Sequence, residues 1–531
     1  MSKTEYTPEV EEALEKSITP TPEQIAIERA ARETNDSLMI NAYAGTGKTT
    51  TLVMLTEVLP KIPSVALAFN VKIKKELESR FPSNYTVLTL NGLGHRAWTQ
   101  AVGRCTLDER KHGKIITQIA KSYSSDLSQE IWDDARRLMS AAMQRGLIPN
   151  FFPQKGLIMD TPAVWVDIAL DIDASKDAIQ LAREALIESI KQGAGVEGRE
   201  MVITYDDQLY LPTFFGGKFN TYPLLMVDEA QDLSPIQHKM IEKTCPKGRI
   251  IAVGDPKQAI YQFRGADSFS MKNLRKLRSN WIDLPLTLTF RCPRVHVARQ
   301  QNHAPGYTAA PSNIEGRIID LTNSPEGWTW QTLVESLGGV GGGESMAVLC
   351  RNNAPLISLA FKLLSRNIGV VMLGRDIGKG LVNLAKKILP EKNLLPEACA
   401  ILIKDWEETE ASLAKVNEKE HKISGIKDRA ECLMAVLTHA KNAGDLITKL
   451  SELFSRDRGQ IILASGHRSK GLEWEHVLHL DPFLIPSKYA IKMKEKGDFT
   501  QLEQEYNLRY VIETRAKKTL VLAKLNDFER N

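Results

Sequence analysis

The chain has few cysteines, and their scatter excludes more than their number does. Cys105, Cys245, Cys292, Cys350, Cys399 and Cys432 include no CxxC pair, so they offer neither a zinc-ligand spacing nor a disulfide framework. They suit a reducing compartment. No apolar run approaches the roughly 20 residues that a membrane-spanning helix needs. The N-terminus, Met1-Ser2-Lys3-Thr4-Glu5-Tyr6, is polar where a secretory leader would be apolar. A soluble, cytoplasmic protein with no membrane partner is expected. Charge of one sign is also missing: Lys and Arg number 69 against 65 Asp and Glu, a net +4. A groove for nucleic acid would therefore have to be local. There is no repeat at a fixed period. The glycine run Gly338-Gly339-Val340-Gly341-Gly342-Gly343 lacks a following Lys-Ser/Thr, so it reads as a flexible loop and not as a phosphate loop.

What the chain does contain is a phosphate loop. Ala42-Tyr43-Ala44-Gly45-Thr46-Gly47-Lys48-Thr49 follows the apolar run Leu38-Met39-Ile40 and precedes the helical stretch Thr49–Leu55. That strand–loop–helix setting is the one a phosphate loop requires. Gly45 and Gly47 let backbone N–H groups turn onto phosphate oxygens, with Ala44, Thr46 and Thr50 completing the cradle. The helix N-terminus adds partial positive charge. Lys48 can reach the β- and γ-phosphates, and the Thr49 hydroxyl can ligate Mg²⁺. Ala42 stands where the general pattern has its first glycine. A second signal is Leu224-Leu225-Met226-Val227-Asp228-Glu229-Ala230-Gln231-Asp232. Here a buried strand delivers Asp228 to Mg²⁺ and Glu229 to the attacking water. Together the two segments predict hydrolysis of a nucleoside triphosphate, with ATP and Mg²⁺ as the expected ligands.

At 531 residues several domains are expected. Val65–Phe69, Thr86–Leu90, Leu224–Val227 and Ile250–Val253 read as strands alternating with amphipathic helices. A second α/β pattern follows, with strands at Ala347–Cys350, Val370–Leu373, Ile461–Ala464 and Val477–Leu480. The expected fold class is α/β, with two parallel-sheet domains that each carry a mainly helical insertion. The first domain covers 1–90 and 200–289, with an insertion at 91–199. The second covers 290–384 and 456–531, with a smaller insertion at 385–455. The Pro20/Pro22 segment marks entry to the first domain.

The ordered set of motifs resembles the UvrD/Rep-type superfamily 1 helicases, and within them the F-box DNA helicase branch. Thr21-Pro22-Glu23-Gln24 resembles the motif whose glutamine, here Gln24, reads an adenine edge; it also satisfies a plain capped helix start. Ala68-Phe69-Asn70 with Lys72, and Thr89-Leu90-Asn91-Gly92-Leu93, resemble DNA-contact motifs. Tyr205-Asp206-Asp207-Gln208-Leu209 matches a family segment to which no chemistry is assigned. Gly254 to Ala266 is similar to the motif that carries a γ-phosphate sensor, Gln258, and a base-stacking aromatic, Phe263. Phe290-Arg291-Cys292-Pro293 implies Phe290 on the adenine face and Arg291 on the γ-phosphate. Ser465 to Trp474 implies a DNA contact at His467 and a ribose contact at Glu473. Tyr506 to Lys518 implies a second phosphate arginine, Arg515, with Glu513 placed to pair with it where an apolar residue is usual.

The resemblance implies two RecA-like domains. Lys48, Asp228, Glu229 and Gln258 would lie on the first and Arg291 and Arg515 on the second, so that a triphosphate touched by both drives a hinge. Single-stranded DNA and single/double-strand junctions are the implied partners, with movement 3′→5′. Phe69, Phe263 and Trp474 are candidates for base stacking or for the core. Lys72, Lys74 and Lys75 could meet phosphates or form a solvated face. The chain ends soon after Thr519–Ala523, without the strand-separating hairpin of the family. This leaves three readings: a helicase, a single-strand translocase that displaces bound proteins, and a nucleotide-switched binding module. No acidic cluster with lysine outside these motifs suggests a nuclease.

Overall fold

The computed structural model describes residues 19–123, 129–172, 174–260, 270–322, 327–336, 345–416 and 420–528. The chain divides into two compact units, Thr19–Thr287 and the chain from Leu288 onward. The glycine run and Tyr261–Ala266, with Phe263, lie outside the described residues.

The first unit is built on a six-stranded sheet, every pair of which is parallel. Its strands are β1 (Ser37–Ala42), β2 (Ser64–Ala68), β3 (Tyr85–Thr89), β6 (Leu224–Val227), β7 (Arg249–Gly254) and β8 (Trp281–Leu286). The short strands β4 (Thr106–Leu107) and β5 (Val202–Ile203) form a separate parallel ribbon. The large sheet runs in the order β3-β2-β6-β7-β1-β8. Alternation along each strand decides which core a side chain joins. Met39, Val65, Leu67, Leu225, Val227, Ile250 and Ala252 face one side. There they share a single core with Trp98, Leu138, Trp165 and Leu186 from the helices between residues 90 and 193. Leu38, Ile40, Ala66, Ala68, Met226, Ile251 and Val253 face the other side and pack with Ile27, Leu52 and Leu55. A sheet buried on both faces explains why these strands read as continuous apolar runs. The predicted strand at Thr86–Leu90 stops one residue early. The Thr89 hydroxyl accepts from Gly92 N–H at 3.0 Å and caps the helix Leu90–Val102.

The second unit repeats the plan. A two-stranded parallel ribbon, β9 (Leu288–Thr289) with β10 (Thr308–Ala309), precedes a six-stranded all-parallel sheet. That sheet contains β11 (Arg317–Asp320), β12 (Met346–Cys350), β13 (Val370–Met372), β14 (Ile461–Ser465), β15 (Trp474–Leu480) and β16 (Ala516–Ala523), in the order β11-β16-β15-β12-β14-β13. Val348, Leu463 and Leu478 share a core with Cys399, Ile403, Leu433 and Leu446 from the helices between 396 and 455. The fold is α/β, with two RecA-like parallel-sheet domains. No described helix is long and apolar enough to cross a membrane.

Candidate nucleotide site and DNA-contact residues

In an open parallel sheet the carboxyl ends of the strands make the binding edge. In the first unit that edge holds the phosphate loop after β1, Phe69 after β2, Thr89 ending β3, Asp228 after β6 and Asp255 after β7. Ala42 is the last residue of β1, paired with Leu286. Its backbone is extended, so it does not need the freedom of glycine. Gly45 and Gly47 do need it, at φ 71° and 78°. Gly47 caps the helix Lys48–Val58 with no side-chain cap and no acidic residue in the first turn. The helix N-terminus is left for an anion. The Thr46 hydroxyl closes the loop by donating to Tyr43 C=O at 2.9 Å. Thr49 and Thr50 lie half-buried on the first turn.

Lys48 Nζ lies 3.1 Å from Glu229 Oε2. Burial works against its charge, but the carboxylates of Glu229, Asp255 and Asp228 outweigh it and hold the ammonium above its ordinary pKa. Three acids around one lysine leave excess negative charge. It shows at Asp228, which burial, and then the Glu229 charge, push up to about 7 against the pull of Lys48. Burial raises Asp255 as well, against Lys48 and a hydrogen bond from Gln258. This imbalance suits a divalent cation held by few protein groups, and Mg²⁺ is commonly held in that way. No cluster of three or more His, Cys, Asp or Glu that could hold a metal occurs among the described residues. Glu229 is left-handed at φ 53°, an uncommon state for a residue with a side chain. Its N–H donates to Asp228 Oδ1 at 2.8 Å and its carboxylate accepts from Gln231 Nε2 at 2.5 Å.

Two residues that the sequence left without a role complete this cluster. Gln231 Oε1 accepts from Asp255 N–H at 3.0 Å, so its amide ties the end of β6 to the end of β7. Asp255 in turn accepts from Gln258 Nε2 at 2.6 Å, which anchors the predicted phosphate sensor. Gln231 lies in the acidic-strand segment 224–232 and Asp255 in the segment 254–266, and that membership was the available signal. Gln24 forms the predicted capping box with Thr21, and its Nε2 donates to Thr51 Oγ1 at 3.1 Å, on the helix that follows the phosphate loop.

The second unit gathers the arginines. Arg291 and Lys517 approach Glu473 at 3.5 and 2.7 Å. Burial favours the neutral form of Glu473, but Lys517, Arg291 and Arg515 hold its pKa below the usual range. The Nε and Nη2 of Arg291 are buried without a hydrogen-bond partner. Arg515 is buried, donating from Nε to Val511 C=O at 2.8 Å and from Nη1 to Leu472 C=O at 3.3 Å. Phe290 is 48% exposed, as a stacking face must be.

Glu513 does not pair with Arg515. Its buried carboxylate accepts from Arg299 Nε at 2.9 Å and Gln300 Nε2 at 2.6 Å, with the His479 ring at 3.5 Å. Residues at the end of a helix splay round its axis, and position 513 faces the helix Arg294–Gln300 while Arg515 lies in the turn that precedes β16. Burial would raise this carboxyl, yet its contacts with His479 and Arg299 hold it at about 2.

The DNA candidates divide. Phe69 is 42% exposed; Asn70, beside it, caps the helix Val71–Arg80 by accepting from Ile73 N–H at 2.9 Å. Thr89 is also a cap. His467 is half-buried in the turn after β14. Trp474 is buried at the start of β15, so its ring belongs to the core and not to a stacking surface. Lys74 pairs with Glu78 at 2.7 Å, on a solvated helix face.

The fold and these clusters define a phosphate-loop protein built from two RecA-like sheets. Residues 24–278 match the UvrD/REP helicase N-terminal domain and residues 397–527 the UvrD-like helicase C-terminal domain. Together the matches span most of the chain, and the chain belongs to the UvrD/REP helicase family. It is 25% identical to F-box DNA helicase protein 1 of Schizosaccharomyces pombe, over 94% of this chain and 57% of that protein. It is also 25% identical to F-box DNA helicase 1 of Gallus gallus, over 95% of this chain and 49% of the relative. A shorter match, 38% identical over 74 residues, is to the RecBCD enzyme subunit RecB of Escherichia coli, and covers 12% of this chain. The chain spans about half the length of the two F-box relatives.

Proposed function

We propose that the protein is an ATP-dependent DNA helicase or translocase that moves 3′→5′ on single-stranded DNA and acts at single/double-strand junctions. The observation that carries this reading is the pair of half-sites: an uncapped phosphate loop beside Lys48, Asp228 and Glu229, and a half-buried Arg291 whose Nε and Nη2 are buried without a hydrogen-bond partner. In the proposed cycle, the backbone N–H groups of Ala44 to Thr50 and Lys48 bind the phosphates of ATP. Gln24 and Phe290 hold the base, and Glu473 holds the ribose. Glu229 orients the attacking water and takes its proton. Mg²⁺, held by Thr49 and Asp228, supplies charge neutralisation at the phosphates when bound. Gln258 senses the γ-phosphate. Arg291 and Arg515 stabilise charge that develops in the transition state, and their release after hydrolysis changes how the two domains grip DNA. Phe69 and Phe263 stack on bases, and Asn70, Thr89 and His467 contact the strand.

The test is ATP-dependent strand separation on duplexes with a 3′ tail, a 5′ tail or no tail, with Lys48→Ala as the control. Separation of the 3′-tailed duplex alone, abolished by Lys48→Ala, is the expected result. Activity on the 5′-tailed duplex would overturn the polarity. ATP turnover that survives Lys48→Ala would overturn the site.

A further inference from the structure

We propose that the groove between the helices Lys111–Ala120 and Gln129–Gln144 is a second nucleic-acid site, in which Trp132 stacks on an unpaired base while Lys121 and Arg136 hold the flanking phosphates. The proposal rests on the reading that the protein works on DNA, and adds a contact outside the motor motifs.

The groove follows from helical spacing. Arg110, Lys114, Thr117 and Lys121 recur at steps of four, three and four, which places them on one face. Trp132 and Arg136, four apart on the second helix, face the same cavity of about 690 Å³. That volume is in the range of small-ligand pockets and accommodates a nucleotide. Four cationic side chains line it against one carboxylate, Glu109. Glu109 is already engaged, accepting from Tyr205 N–H at 2.6 Å. Asp108 takes Lys114 at 2.7 Å and Arg110 at 3.5 Å. Lys121 and Arg136 are exposed and make no ion pair among the described residues.

The indole is held for use. Trp132 Nε1–H donates to Thr117 Oγ1 at 3.0 Å, which fixes the ring in its plane. Gly113 makes room for it, because a Cβ there would come within 3.0 Å of the ring carbon Cζ2. The ring therefore rests on bare backbone and remains partly exposed to the groove. A fixed aromatic face flanked by unpaired cations is how sequence-tolerant single-strand sites are built. A duplex would not present the base face that the indole needs.

The test uses the full chain and an oligothymidylate carrying 5-iodouracil, photocrosslinked and mapped by mass spectrometry. The expected adduct is at Trp132, and unlabelled oligothymidylate competes with it. Trp132→Ala should weaken capture of the groove peptide about 5- to 150-fold, the range for losing one base stack, while Trp132→Phe retains most of it. Lys121→Glu with Arg136→Glu should abolish the adduct and leave the thermal midpoint unchanged. The double neutral variant, Lys121→Gln with Arg136→Gln, should flatten the slope of log K against log salt by about 1.4, two single-strand phosphate contacts. No adduct at Trp132, in a protein whose ATPase DNA stimulates, overturns this inference and leaves the motor reading intact. An adduct at Trp132 without DNA-stimulated ATPase does the reverse. Displacement of the oligonucleotide from the groove by polyglutamate at lower concentration than by unlabelled oligothymidylate would identify an acidic-peptide site and overturn the proposal.

Discussion

Replacing Glu513 by Gln should destabilise the second unit in a pH-dependent way. The carboxylate is fully buried and titrates at about 2 in the folded protein, against an ordinary 4.5. At about 1.4 kcal/mol per tenfold change, that difference makes the charged form worth about 3 kcal/mol at neutral pH. The folded pKa is depressed, so the stabilisation is complete above about 4.5. It is lost as pH falls from about 4.5 towards 2. Removing the charge also takes the counter-ion from Arg299, whose side chain is about a third exposed, so that water screens the loss on the arginine side. Urea unfolding followed at several pH values is the assay. The expected result is a gap between the native chain and Glu513→Gln of about 3 kcal/mol at pH 7 that closes as pH approaches 2. A double-mutant cycle with Arg299→Ala should show strong coupling between the two positions. A gap that does not change with pH, or one below about 0.5 kcal/mol, would refute the assignment of Glu513 as a charged strut. If the strut positions Arg515, the variant should lower kcat more than it raises KM for ATP.

Glu229→Gln should bind ATP with nearly native affinity but release phosphate at least about 100-fold more slowly, because the proposed general base is gone; unchanged turnover would refute the role. Gln231→Ala should lower kcat by about tenfold, since Glu229 and Asp255 lose their common anchor; an effect on KM alone would show that Gln231 does not position the base. Lys111→Met should destabilise the first unit by about 3–5 kcal/mol. It leaves Asp207, 2.7 Å from the ammonium and fully buried, without its main counter-charge. Adding Asp207→Leu should restore most of that loss, and urea titration of both variants checks it.

The phosphate loop and the acidic strand were legible because their chemistry is local. Gly45, Gly47 and Lys48 are neighbours in the chain, and an apolar run ahead of them is enough to place them at a strand end. The strands were legible for a related reason. A sheet buried on both faces, such as Met39 against one core and Ile40 against the other, writes an uninterrupted apolar run into the sequence. Trp474 was ambiguous, because an aromatic beside a motif has the same composition whether it stacks or packs. Only its burial at the start of β15 settles which.

Other features had no local signature. Glu513 stands two residues from Arg515, and proximity along the chain suggested the pair. Folding instead gave the acid a partner 214 residues away. The Lys111–Asp207 pair spans 96 residues, and the amide bridge of Gln231 to Asp255 spans 24. The seat of Trp132 on Gly113 joins two separate helices of the segment read only as a helical insertion. The sequence by itself determined the two parallel sheets and the positions of the phosphate loop and the acidic strand end, because periodicity and adjacent motif residues are properties of short segments. Tertiary structure alone decided which buried charges meet and which aromatic faces stay open, because those depend on contacts between residues that the chain keeps far apart.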